Sequence, residues 1–403
     1  MLAVEKPTDH LMSRNINVTE NPALAPIRKL KILCIGNGGI VYRDNQLWTH
    51  RCLGGFLAEL GGMVDEVCFC AWLDPNDDPL AQTFLHDIQG VRALALPRFA
   101  GTGARKLVNG VLSFVMLARE VFRSQFVYLY WPGGIASMTA RLCRVIGKPY
   151  GIYFRGEQIP SDPTFESAFR HARFVLTTGQ FLNNIAKKYC RDVENVTPMT
   201  PLLDRHILPP HPPRQSGPWH LLYVGRLEER KGVQDLLAAV SLLEERGLPF
   251  TLTMIGHCYD APALLRSVSP AVAQRIKLID AISDFEELIP YFRAADTFVF
   301  PSHDEGFPRV LYEAMAFGLP IITTFVGSIP SVMEDRLNCL RIEVRNAKDI
   351  AEKLLQLISD EKLQARLTQE GHQCITTLMK TWKRSHSIQV AERLRDLGSP
   401  YSS

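Results

Sequence analysis

Seven prolines in the 22 residues from 197 to 218 divide this chain into two halves that cannot share one run of secondary structure. Pro198, Pro201, Pro209, Pro210, Pro212, Pro213 and Pro218 each fix φ and remove a backbone donor, so the stretch reads as a linker. The same rhythm recurs on both sides of it. Upstream, apolar runs at 30–36, 65–71, 91–96, 125–131, 149–154 and 173–178 read as strands, with helical patterns at 49–61, 104–123, 135–146 and 180–189. Downstream, strands are expected at 219–224, 250–255, 276–280, 296–300 and 319–323. Helices are expected there at 231–246, 261–268, 285–294, 308–317, 347–358 and 360–371. Strands that are apolar nearly throughout and alternate with helices predict parallel sheets covered on both faces. The expected fold is therefore α/β, with two doubly wound Rossmann-like domains and a ligand cleft between the carboxyl ends of their strands. The expected division is a loose lead at 1–28, an N-terminal domain at 29–196, the linker at 197–218 and a C-terminal domain at 219–375. A helical stretch near 376–396, within a tail at 376–403, is polar enough to lie on the surface and is placed to bridge back to the N-terminal domain.

Composition limits what such a chain can be. Its 403 residues suit two or three domains, and 46% hydrophobic with 22% charged residues exclude a disordered chain. Residues 1–28 lack the apolar centre of a signal peptide, and no apolar run approaches a membrane span. Nine cysteines are scattered without a CxxC or a zinc spacing, which predicts a reducing, cytoplasmic setting and no metal centre. Charge is uneven: residues 1–210 carry 23 Lys and Arg against 18 Asp and Glu, and the remainder 22 against 24. Between 88 and 156, ten basic side chains face Glu120 alone. That field suits an anionic acceptor, an anionic membrane surface or an ordinary solvated face. Aromatic residues interleaved on a reader motif are missing, so nucleic acid is not an expected partner.

Two motifs carry chemistry. Gly225-Arg226 follows the strand 219–224, and Lys231 stands five residues on, where the next helix opens. Gly225 allows a tight turn, and two cations near a helix N-terminus can hold a diphosphate or remain solvated. Further on, Glu305-Gly306-Phe307-Pro308 leads into the helix 308–317, which carries Glu313 more than a turn inside. Pro308 suits the start of a helix. Glu305 then lies at the helix mouth and Glu313 deeper, where ribose hydroxyls could donate to it. Spacing alone favours the plainer reading, in which acids near a helix start offset the macrodipole.

Together these motifs resemble the family-four retaining glycosyltransferases of GT-B fold. The resemblance implies transfer of a sugar from a nucleotide-diphosphate donor to a glycan or lipid-linked acceptor, with no metal and no other cofactor. It implies that Arg226 and Lys231 hold the leaving diphosphate and that Glu305 contacts the donor sugar. Gly306, Phe307 and Pro308 would meet sugar hydroxyls, and Glu313 the ribose. The loop Gly36-Asn37-Gly38-Gly39 resembles the family's glycine-rich loop facing the donor phosphates. Where the family often has a histidine after the strand matching 149–154, this chain has Arg155, followed by Glu157. Arginine carries no proton at neutral pH but can bind an acceptor phosphate or a sugar carboxylate. Gly327-Ser328 stands where a glycine pair is usual, and His303 lines the site. Helix 104–123 is apolar almost all round and flanked by Arg105, Lys106, Arg119 and Arg123. It reads as a helix buried on the sheet, or as one of the membrane-docking helices found in relatives that use lipid-linked acceptors. A nucleotide-sugar epimerase of the same fold and a non-catalytic nucleotide-sugar binder are the competing readings.

Overall fold

The computed structural model describes residues 27–36, 40–74, 81–97, 104–155, 164–207, 209, 217–258, 260–382 and 384–398. Ten strands form the N-terminal sheet: β1 Ile27–Ile35, β2 Ile40–Arg43, β3 Gln46–His50, β4 Val64–Asp74, β5 Ala81–Phe84, β6 Val91–Leu96, β7 Phe126–Trp131, β8 Tyr150–Phe154, β9 Val175–Thr177 and β10 Val193–Asn195. Their order is β10-β9-β8-β7-β1-β4-β2-β3-β5, with β6 beside β4. The centre is parallel: Leu33 lies opposite Cys68 on one side and Val127 on the other.

Period-two alternation sends each central strand to two different cores. Ile32, Cys34, Phe126, Tyr128 and Tyr130 pack on one face, while Leu33, Ile35, Val127, Leu129 and Trp131 pack on the other. Both sets are buried, which is why β7 reads FVYLYW without a polar residue. The sheet departs from expectation at one edge, where β2–β3 and β3–β5 pair antiparallel. Asp44 and Asn45 join β2 to β3 with φ of 50° and 63°, the two positive φ values that a two-residue hairpin loop needs.

The C-terminal sheet holds β11 Trp219–Val224, β12 Phe250–Ile255, β13 Ile276–Ile279, β14 Thr297–Phe300, β15 Ile321–Thr324 and β16 Leu340–Ile342. Its order is β13-β12-β11-β14-β15-β16, parallel at every pair. Only three residues long, β16 leaves too little pattern to read from sequence. The chain passes between the domains inside the proline-rich stretch, between Pro198 and Pro209. Met199 packs on the N-terminal core and Leu202 belongs to the C-terminal one.

The tail is two elements rather than one polar stretch. Helix Glu361–Thr381 buries Leu363, Leu367 and Ile375 in the C-terminal core. Helix His386–Gly398 then returns and buries Ile388, Val390, Ala391 and Leu394 in the N-terminal core. Its polar residues are matched too: Gln389 binds Glu194 and the Thr197 and Asn195 backbones, and Ser385 and Ser387 both donate to Glu59. Paired in this way, a helix of polar composition can be buried at low cost.

Helix Ala104–Arg123 is not buried on both sides. Ser113, Leu117 and Val121 face the protein, while Leu107, Val108, Val111, Leu112, Val115 and Phe122 are exposed, Leu107 at 71%. Among the described residues no helix is long and apolar enough to cross a membrane.

Candidate active site

The site is assembled from strand ends. Gly225 ends β11 and its N–H donates to the Ile255 carbonyl at 2.9 Å. A 3₁₀ turn, Glu229–Lys231, follows, and Gly232 (φ 70°) begins the helix Val233–Glu245. A Cβ at Gly232 would stand 2.0 Å from the Pro301 carbonyl oxygen, so glycine alone lets the turn press against the end of β14. That approach delivers Lys231 to Glu305: Nζ and Oε1 are 2.6 Å apart and both residues are 7% exposed. Lys231 also donates to the Asp304 carbonyl at 3.3 Å. Separate roles were expected for these two side chains. The fold makes them a buried pair, 74 residues apart in the chain. Arg226 stays half-exposed and pairs with Glu228 at 3.1 Å.

Glu305 is fixed from behind by Gly327 (φ 57°), where a Cβ would come within 1.7 Å of the Glu305 carbonyl oxygen. Ser328 N–H donates to the Gly306 carbonyl at 2.7 Å. Phe307 stacks on Tyr312 with centroids 4.3 Å apart, and Trp382 meets Tyr312 edge-on. Pro308 caps the helix Arg309–Ala316. Inside that helix Glu313 is buried and accepts no hydrogen bond among the described residues. Burial pushes its carboxyl up to about 7, with the Arg309 guanidinium opposing the rise. A buried carboxylate without a donor is the arrangement that bound hydroxyls would satisfy.

The N-terminal domain closes the other wall. Ser328 Oγ donates to the Thr178 carbonyl at 3.3 Å, and a Cβ on Gly179 would lie 2.6 Å from the Ser328 Cβ. Arg155, just past β8, holds its guanidinium over the rings of Tyr130 and Tyr153. Behind them His386, from the returning helix, contacts the Tyr128 hydroxyl through Nε2 at 2.7 Å. Burial, with Arg155 adding to it, holds this imidazole down to about 3, so it stays neutral. Gly36 leaves β1 toward this side, with its N–H on the Cys70 carbonyl. Gly38, Gly39 and Glu157 lie outside the described residues.

Sequence reasoning passed over three features. Arg309 lies inside the second motif yet had no assigned role, because spacing does not reveal its reach: its Nη1 donates to the Met199 carbonyl at 2.5 Å. Asp235 holds His303 Nε2 at 2.6 Å, which braces His303 beside the Lys231 turn. Thr178 meets Ser328 from 150 residues away. Among the described residues no three His, Cys, Asp or Glu side chains are grouped to hold a metal ion.

Residues 204–373 match the family model described as glycosyl transferases group 1. Among curated relatives, the capsular polysaccharide biosynthesis glycosyltransferase CapM of Staphylococcus aureus is 33% identical over 152 residues, 37% of this chain and 39% of CapM. The D-inositol 3-phosphate glycosyltransferase of an Arthrobacter species is 29% identical over 200 residues, 47% of this chain and 48% of that one. The chain thus aligns with less than half the length of these relatives. Two solved structures match nearly end to end. A sucrose-phosphate synthase from Thermosynechococcus elongatus superposes with a TM-score of 0.64 at 18% identity, over 92% of this chain and 99% of its own. Anabaena HepE in complex with UDP gives 0.63 at 14%, over 91% and 100%. The C-terminal half of the chain thus matches the glycosyl transferases group 1 model, and its two facing Rossmann-like domains have the GT-B fold.

Proposed function

We propose that this protein moves a sugar from a nucleotide-diphosphate donor to a glycan or lipid-linked acceptor, with retention at the anomeric carbon and without a metal. The observation that carries this reading is the buried Lys231–Glu305 pair at the strand ends, a few residues from Arg226, with the buried Glu313 in the helix that follows. The CapM name and the UDP in the HepE structure fit the same reading. Donor hydroxyls satisfy Glu313, and the diphosphate takes Lys231 and Arg226 as counter-charges. As the bond to the anomeric carbon breaks, negative charge grows on the leaving phosphate oxygen beside Lys231, so these cations bind the transition state more strongly than the ground state. The acceptor hydroxyl approaches on the same face and gives its proton to the leaving diphosphate, which produces retention. Neutralisation by Lys231 and Arg226 replaces the cation that a metal supplies elsewhere.

The test is a melting screen with UDP, GDP, ADP and their sugar conjugates. A true donor nucleotide at 100 times its Kd should add about 2.7 kcal/mol of stability. The winning donor should then support transfer in excess EDTA, with the product's anomeric configuration unchanged by NMR. EDTA-sensitive turnover would rule out the metal-free scheme, and an inverted product would rule out retention.

The exposed face of helix Ala104–Arg123 is our basis for placing this enzyme on the inner surface of the cytoplasmic membrane. Leu107, Val111, Val115 and Phe122 form its apolar strip, with Lys106, Arg119 and Arg123 beside them. Such a helix lies in the plane of an anionic bilayer. Phosphatidylglycerol vesicles should pull down the wild-type protein, and L107D/V111D should weaken this about tenfold or more, each buried side chain contributing roughly 1.5–3 kcal/mol. Equal sedimentation of both proteins would discard the placement.

A further inference from the structure

Two guanidinium groups in the cleft are not among the donor contacts proposed above. Arg155 leaves the carboxyl end of β8 with its backbone N–H on the Trp131 carbonyl at 3.0 Å. Its Cζ stands 5.4 Å from the Tyr130 ring centroid and 5.8 Å from that of Tyr153. Such stacking fixes the plane of the group while leaving its N–H edges open. Arg309 comes from the opposite domain, as the first residue of its helix. It uses one N–H on the Met199 carbonyl and lies against the Cys52 thiol, facing Tyr153 as well. Both arginine side chains are exposed to the cleft, and neither has an ion-pair partner among the described residues.

Their surroundings point to an anion. Tyr153 feels both cations: Arg155 stacks on its ring, and Arg309 acts on it electrostatically from the other domain. The carboxylate nearest Arg309 is Glu313, one helical turn deeper, and no ion pair within 4 Å joins them. Neighbouring Tyr130 has a buried hydroxyl with no hydrogen-bond partner among the described residues. Two like charges, neither in an ion pair among the described residues, focus a positive field into the gap. Planar guanidinium forks match phosphate and carboxylate oxygens. The arrangement is separate from the Lys231–Glu305 pair assigned to the donor.

We propose that Arg155 and Arg309 together bind a phosphate or carboxylate group carried by the acceptor, close to the hydroxyl that receives the sugar. This rests on the donor reading of the same cleft and adds the chemical class of the second substrate. Because one arginine belongs to each domain, the anion also ties the two walls together, so acceptor binding and cleft closure are one event. A neutral acceptor would leave both cations facing each other.

The experiment is calorimetric titration of the full chain, saturated with the nucleoside diphosphate selected by the melting screen, using glucose 6-phosphate, glucuronate and glucose. Saturation keeps the added anion out of the donor subsite. At least one anionic sugar should bind about tenfold or more tighter than glucose, as charge-assisted pairing requires. Preference for glucose 6-phosphate alone assigns a phosphorylated acceptor, and for glucuronate alone an acidic sugar. In Arg155→Gln and in Arg309→Gln the preference should fall below about twofold, and in Arg155→Gln nucleotide affinity stays at the wild-type value. Equal binding of all three sugars by the wild type, or an intact preference in both variants, would overturn the proposal. Failure of every nucleotide to bind is a different result: it removes the donor reading, and the sugar titration is then run without nucleotide to judge the arginine pair alone.

Discussion

Lys231→Ala is expected to lower sugar transfer by about 10²-fold or more, because it removes the cation beside the leaving phosphate. It should also destabilise the fold. Lys231 and Glu305 are both buried and 2.6 Å apart, so deleting one leaves an uncompensated charge inside the protein. The usual cost of breaking such a pair from one side is about 3–5 kcal/mol. Loss of activity in the single variant would therefore mix two effects. Lys231→Met combined with Glu305→Gln separates them, since neither side chain is then charged. The double variant should recover most of the melting temperature and almost none of the turnover. Turnover near the wild-type value in a well-folded double variant would remove Lys231 and Glu305 from the chemistry.

The second large effect is expected at Glu313, and it runs in opposite directions for stability and for binding. The folded protein holds this carboxyl at about 7, against an ordinary value of 4.5. The unfolded chain therefore ionises first as pH rises. Stability from this group is fully present below about 4.5 and is lost progressively as pH rises to about 7. Above that, burying the charge costs about 3 kcal/mol, at 1.36 kcal/mol per pKa unit. Glu313→Gln should thus raise the melting temperature at pH 8 and change it little near pH 4.5. Nucleotide affinity should fall in the same variant by about tenfold or more, the worth of hydrogen bonds to a charged acceptor. In the wild type, affinity for the intact nucleotide sugar should weaken as pH falls through 7, and in Glu313→Gln that dependence should flatten. Unchanged nucleotide affinity in Glu313→Gln would end the ribose assignment.

Much of the fold was readable because parallel strands buried on both faces leave a strong local mark. The runs at 91–96, 219–224 and 250–255 coincide with β6, β11 and β12 to the residue. Helices 104–123 and 285–294 do so as well. What escaped was short or polar. The β2–β3 hairpin hides its alternation in four- and five-residue strands. The returning helix looked like surface because Gln389, Ser385 and Ser387 are polar, and their partners, Glu194 and Glu59, are some 200 to 330 residues away.

The candidate site divides in the same way. Local spacing put Arg226 and Lys231 at one strand end, and Glu305 and Glu313 at the mouth and in the body of one helix. Those relations need only a turn or a helix pitch, so the amino-acid order determined them. Tertiary structure alone decided that Lys231 meets Glu305, because that contact depends on Gly232 packing against Pro301 across two strands. It also decided that Ser328 touches Thr178 and that Arg309 faces the wall carrying Arg155. These are contacts between segments joined only by sheet pairing and domain docking, and no pattern confined to one segment can record them.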